Sequence, residues 1–159
     1  MVIKKIFKVT NILILMFLFS SCDENKINFN NFSFQYNDLS DSYDSKKGIF
    51  TRKYSDNEVK IKILLTEEDK KQIFRCFINN SFSNFPQEID CSKWCVSPKH
   101  YDYLKVNNIS VRYVYNGMGD EGLFCFNGKK FNKISSFIKE ILLNKSEIKK
   151  LDPSDIFYE

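Results

Sequence analysis

The chain has 159 residues, 43% of them hydrophobic and 28% charged, with 24 basic side chains, 20 acidic ones and a single histidine. A chain of this length is expected to form one domain that buries about two-thirds of its unfolded surface. Lys4, Lys5 and Lys8 lie in the first 21 residues, so the remainder carries 21 basic against 20 acidic residues, a formal charge of +1 without a Lys/Arg cluster, and no nucleic-acid partner is expected. The 16 phenylalanines accompany abundant Asn, Lys and Ile, the bias of an AT-rich genome, and do not by themselves mark a ligand platform.

In chain order the first element is a leader. After the three lysines an apolar run extends unbroken from Ile12 to Phe19, and Ser20 and Ser21 supply small residues before a cut. This is the pattern of a secretory signal over residues 1–21. The run is too short to cross a bilayer, which takes about 20 apolar residues. Cys22 follows at once, with Asp23 and Glu24 behind it. The arrangement resembles the lipobox of bacterial lipoproteins, with Phe19 where the usual motif has Leu and Leu18 one place earlier, as in the looser lipoboxes of Bacteroidota. The resemblance implies that Cys22 is lipidated and becomes the mature N-terminus, anchoring the protein to the cell envelope, with the outer membrane as the expected address. Asp23-Glu24 resembles the acidic signals that send some Bacteroidota lipoproteins to the cell surface. In other bacteria an Asp at that place argues for inner-membrane retention, so the leaflet stays open.

Residues 22–29 read as a lipidated tether, 30–151 as one domain and 152–159 as a tail that Pro153 keeps from continuing a helix. In "FNNFSFQY", Phe32, Phe34 and Tyr36 alternate as on one face of a strand. "NDLSDSYDSKKG" reads as a turn-rich loop, followed by strands over "IFTRKY" and "VKIKILL". Thr66 is the expected N-cap of a helix running to about Asn79, with Ile73, Phe74, Phe77 and Ile78 as its apolar stripe. "YDYLKV" and "ISVRYVY" read as a hairpin turning at Asn107-Asn108, since Asn tolerates positive φ. "LFCF" (123–126) reads as a short strand. Phe131, Ile134, Phe137, Ile138 and Ile141 mark a last helix, with Lys133, Lys139 and Glu140 on its opposite side. The order β-β-β-α-β-β-β-α predicts an α+β fold: an antiparallel sheet of about five or six strands with two helices on one face. In this general layout the domain resembles uncharacterised lipoprotein domains of the same bacterial group.

Cys76, Cys91, Cys95 and Cys125 are candidate disulfide cysteines outside the cytoplasm, with three pairings open. "DCSKWCVSPKH" brings Cys91, Cys95 and His100 within ten residues, yet a CxxxC pair and one histidine fall short of a structural zinc set. The same pair lacks the CxxC spacing of a thioredoxin-type site. No GxSxG elbow surrounds any serine, and "NGMGDEG" has neither phosphate-loop nor EF-hand spacing. No metal or cofactor is therefore expected. The expected function is a non-enzymatic binding or accessory module, held to the membrane through Cys22 and meeting an envelope or extracellular protein. The alternatives are an inhibitor or immunity-type protein, and a small envelope hydrolase or redox enzyme using His100 or Cys91/Cys95.

Overall fold

The computed structural model describes residues 27–91, 100–115 and 125–156. Among the described residues seven strands form one sheet: β1 (Phe34–Asn37), β2 (Asp41–Asp44), β3 (Ile49–Lys53), β4 (Glu58–Lys62), β5 (Glu88–Asp90), β6 (His100–Val106) and β7 (Ile109–Tyr115), in the spatial order β4-β3-β2-β1-β6-β7-β5. Helix α1 (Glu67–Asn79) lies between β4 and β5 in the chain, and α2 (Phe126–Leu143) follows β7. All pairings are antiparallel except β5 with β7. The expected α+β architecture with both helices on one face is the one observed.

Two local expectations change. The strand count is seven, because β2 lies inside the supposed loop and β5 adds a three-residue parallel edge strand. The β2 alternation was masked by Asp41, which takes an inward position beside Tyr43 and is buried with it. "LFCF" does not end as a strand: Cys125 is the N-cap residue of α2 and Phe126 its first, exposed, position. On β6 the inward residues are Leu104 and Val106, whereas Tyr101 is exposed and Tyr103 only half-buried.

The helices form where the sequence favours them. Thr66 Oγ1 accepts from the Asp69 amide (3.1 Å) and Asp69 Oδ2 accepts from the Thr66 amide (2.8 Å), closing a capping box, while Glu67, Glu68 and Asp69 sit at the positive end of the helix dipole. Ile73 and Phe77 are fully buried; Ile78, at the margin of the stripe, is exposed. Phe131, Ile134 and Ile138 of α2 close over the same core. Phe77 meets Phe82 edge-on at 4.9 Å, and Phe131 lies 5.2 Å from Tyr113 of β7. Each such side chain contributes about 2–3 kcal/mol through the apolar surface it removes from water. The β6–β7 hairpin turns at Asn107 with φ of 52°, and Asn107 Oδ1 also accepts from the Ser33 amide at 3.0 Å. At the start of the described residues Ile27 is already buried and Phe29 meets Phe74 edge-on. The tail folds back through polar contacts: Ser154 Oγ donates to the Lys53 carbonyl (2.6 Å), and the Ser55 amide donates to Asp155 (2.8 Å).

Cys91, just after β5, is bonded to Cys125 with Cα atoms 5.9 Å apart, so the shortest edge strand is fastened to the start of α2. A bridge closing 34 residues contributes roughly 4 kcal/mol in the chain-entropy picture. Gly128, on the first turn of α2, rests on this bridge: a Cβ there would fall 2.5 Å from Cys125 Sγ and 2.9 Å from both Cys91 Sγ and the Tyr113 ring. Helix propensity alone would make Gly128→Ala stabilising by about 1 kcal/mol. Crowding is expected to reverse that sign and destabilise the oxidised protein by about 1–3 kcal/mol in urea titrations. In a Cys125→Ser background the penalty should shrink, since the crowding sulfur–sulfur bridge is gone; an unchanged penalty would contradict this packing.

Candidate functional site

The face under the helices is apolar except at one end. There Arg52 of β3 meets its cross-strand neighbour Asp41 of β2 in a two-pronged pair, Nε to Oδ1 at 2.8 Å and Nη2 to Oδ2 at 2.9 Å, with side chains only 8% and 4% exposed. Arg52 Nη1 also donates to the Asp152 carbonyl at 3.2 Å. Asp38, in the β1–β2 turn, accepts from the Tyr36 hydroxyl (2.5 Å), the Asp41 amide (2.6 Å), the Ser40 amide (3.0 Å) and Lys139 Nζ of α2 (2.7 Å). Lys139 thus turns toward the sheet and not to the solvent side of α2, because Asp38 waits there.

Burial pushes the Asp38 carboxyl upward, but the hydrogen bonds from Lys139 and Tyr36 outweigh it and hold the group below the usual aspartate range. Burial pulls the Lys139 ammonium down, and its bond to Asp38 more than restores it, leaving it above the usual lysine value. The Tyr36 phenol is driven far above its ordinary value, first by burial and then by the Asp38 charge. All these groups stay in one protonation state at neutral pH, with their charges matched. The cluster is a clasp joining the β1–β2 turn, β3, the tail and α2.

Among the described residues no helix lies over the opposite face of the sheet. Register carries one polar row across it: Lys60, Thr51, Ser42 and Asn37 on β4, β3, β2 and β1, continuing through Tyr103 and Arg112 to Glu88 on β6, β7 and β5. The outer members are engaged: Lys60 pairs with Glu58, Arg112 pairs with Glu88, and the Arg112 guanidinium lies 5.8 Å from the centre of the Tyr101 ring. The middle members are short. Strands lie about 4.8 Å apart, so Thr51, Ser42 and Asn37 make a low strip about 10 Å wide between taller neighbours.

That strip floors a depression of about 600 Å³ walled by Lys53, Lys60, Ile49 and Tyr103. A second depression, of about 590 Å³, adjoins it through Gln35, Asp44 and Lys47 and reaches Asn107 and Asn108. Asn37 Oδ1 is buried in the floor without a hydrogen-bond partner among the described residues. An unsatisfied buried acceptor costs about 1–3 kcal/mol, so rotation of the Asn37 amide toward a donor placed in the recess would be favoured. Asp44, by contrast, is occupied: it accepts from Gln35 Nε2 (3.1 Å) and from the amides of Lys46 and Lys47 (3.0 and 3.1 Å).

None of the sequence candidates among the described residues lies on this strip. Cys91 and Cys125 are bonded to each other on the far side of β7. Cys76 is a half-buried free thiol on α1, and burial pushes it up, away from the thiolate that nucleophilic chemistry needs. His100 opens β6 opposite Tyr115. Cys22, Trp94, Cys95, Asp120 and Glu121 lie outside the described residues. Among the described residues no group of three or more His, Cys, Asp or Glu is placed to hold a metal, and no helix is long and apolar enough to cross a membrane. Asn37, Ser42, Thr51 and Tyr103 were missed; the alternation of Phe34 and Tyr36 already turned Asn37 outward, but the strand neighbours that assemble the strip are not written locally.

The clasp predicts a pH signature. Because the folded pKa of Asp38 is depressed, its contribution is complete above the ordinary aspartate value near ~3.9 and is lost as pH falls through the folded value. Lys139 has the opposite sign, its share being lost as pH rises past the ordinary lysine range. Asp38→Asn is expected to lower stability by roughly 2–3 kcal/mol at pH 7. In denaturant titrations that gap should persist to about pH 4 and close below it; closure already between pH 7 and 5 would contradict the assignment. Comparison of the chain with protein-family models, with curated proteins and with solved structures finds no match.

Proposed function

We propose that this protein is a lipid-anchored cell-envelope protein whose domain is a non-enzymatic binding module. The observation that carries the binding part is the one-sided roof: both helices cover one face, and the other presents a recessed polar strip with a buried acceptor, Asn37 Oδ1, lacking a partner among the described residues. Loops carry function in many domains, but here the recess lies on strands, whose register holds its side chains in place.

The leader supports the anchor. Lys4, Lys5 and Lys8, the apolar run to Phe19, the two serines and then Cys22 are what a lipoprotein-processing enzyme reads. Each acyl CH₂ buried in a bilayer contributes about 0.8 kcal/mol, so two or more chains on Cys22 hold a small domain durably. With packing already under way at Ile27, only a few residues separate the lipid from the fold. The partner is then one met at close range to the membrane.

Metabolic labelling with an alkyne fatty acid tests the anchor. The wild-type chain is expected to take up label and partition into the detergent phase of a Triton X-114 extraction. Cys22→Ser should take up no label and retain the leader; a Cys22→Ser chain that is still labelled would sink the anchor reading.

A further inference from the structure

From the lining of the two joined depressions we infer that the open face binds a carboxylated oligosaccharide; this rests on the binding-module reading and names its ligand class. The first argument is charge. The two depressions are lined by five lysines, Lys46, Lys47, Lys53, Lys60 and Lys105, and by one carboxylate, Asp44; Lys60 pairs with Glu58 and Lys47 lies 3.9 Å from Asp44, so the excess rests on Lys46, Lys53 and Lys105. The chain beyond the leader is close to neutral, so this is a local excess and not a reflection of overall basicity. An anionic ligand is the one whose charge complements it.

The second argument is the floor. Asn37, Ser42 and Thr51 offer an amide and two hydroxyls, groups that donate and accept, and the buried Asn37 Oδ1 calls for a donor. Sugar hydroxyls do both. A protein partner would seat aromatic or aliphatic anchors in apolar pockets, and the floor has none. A nucleic-acid strand would want a succession of aromatic platforms for its bases, whereas of the aromatic lining residues Phe34, Tyr36 and Tyr43 are buried toward the helices and Tyr103 is the one turned to the recess. One tyrosine beside a polar floor suits the C–H face of a pyranose ring, with the lysine rim taking its carboxylates.

The third argument is extent. Each depression is within the range of pockets that hold small ligands, and the shared wall of Gln35, Asp44 and Lys47 makes one path from β4 to the β6–β7 turn. A short linear chain of several sugar units would lie along it, across the strands.

The test is calorimetric titration of the full-length protein in detergent micelles with hexagalacturonate, its fully methyl-esterified form and hexaglutamate. Saturable binding is expected for hexagalacturonate, at least tenfold weaker for the ester, which lacks the charges, and at least tenfold weaker for the peptide, which has charges without hydroxyls. Tyr103→Ala and Asn37→Leu, each checked for unchanged thermal unfolding, should weaken hexagalacturonate binding at least tenfold. No saturable binding, equal binding of hexaglutamate, or variants that bind like the wild type would overturn the inference. The anchor reading is untouched by these results, since labelling at Cys22 reads it separately. Shortening of the hexamer during incubation would uphold the site while overturning the non-enzymatic reading.

Discussion

Both helices pack on the same face of the sheet, and the two-residue period of the strands then decides where every strand side chain goes. Phe34, Tyr36, Tyr43, Phe50, Leu104 and Tyr113 point under the helices and are buried almost completely. Their sequence neighbours Gln35, Asn37, Ser42, Thr51 and Tyr103 must point the other way. A slip of one residue in any strand would bury the polar set and expose the apolar one, so the core that stabilises the fold also holds the outer row in register.

The clasp of Asp41, Arg52, Asp38 and Lys139 sharpens that register. A buried ion pair adds little net stability over a well-packed apolar pair, but leaving one charge without its partner costs about 3–5 kcal/mol. Asp41 is satisfied when β2 and β3 stand in the observed alignment, with Arg52 directly opposite. The same alignment sets Ser42 against Thr51 on the outer face. The floor of the recess is therefore placed by a pair on the other side of the sheet.

Much of the architecture was legible because its signals are local. Thr66 and the acids behind it place α1 within a residue of its observed start, and Asn107 marks the hairpin by tolerating positive φ. β2 was hidden because Asp41 occupies a core position that only Arg52, eleven residues on, makes tolerable. β5 is too short for a periodic signal, and its partner β7 pairs with it only through the fold. "LFCF" misleads because Cys125 and Phe126 look strand-like, yet the bond to Cys91 and the start of α2 fix them otherwise. The recess was illegible for the same reason as the disulfide partner: Asn37, Ser42 and Thr51 are ordinary polar residues until β1, β2 and β3 lie side by side.

The proposed binding surface is the open face of the sheet, with the helical face serving as core. Amide chemical-shift mapping of the ¹⁵N-labelled protein during a hexagalacturonate titration reads this directly. The largest shifts should fall on Asn37, Ser42, Thr51 and Tyr103 and along the turn at Asn107, with α1 and the inner face quiet. Shifts centred on α1, on α2 or on the Asp38–Lys139 clasp would show that the open face is not the binding surface.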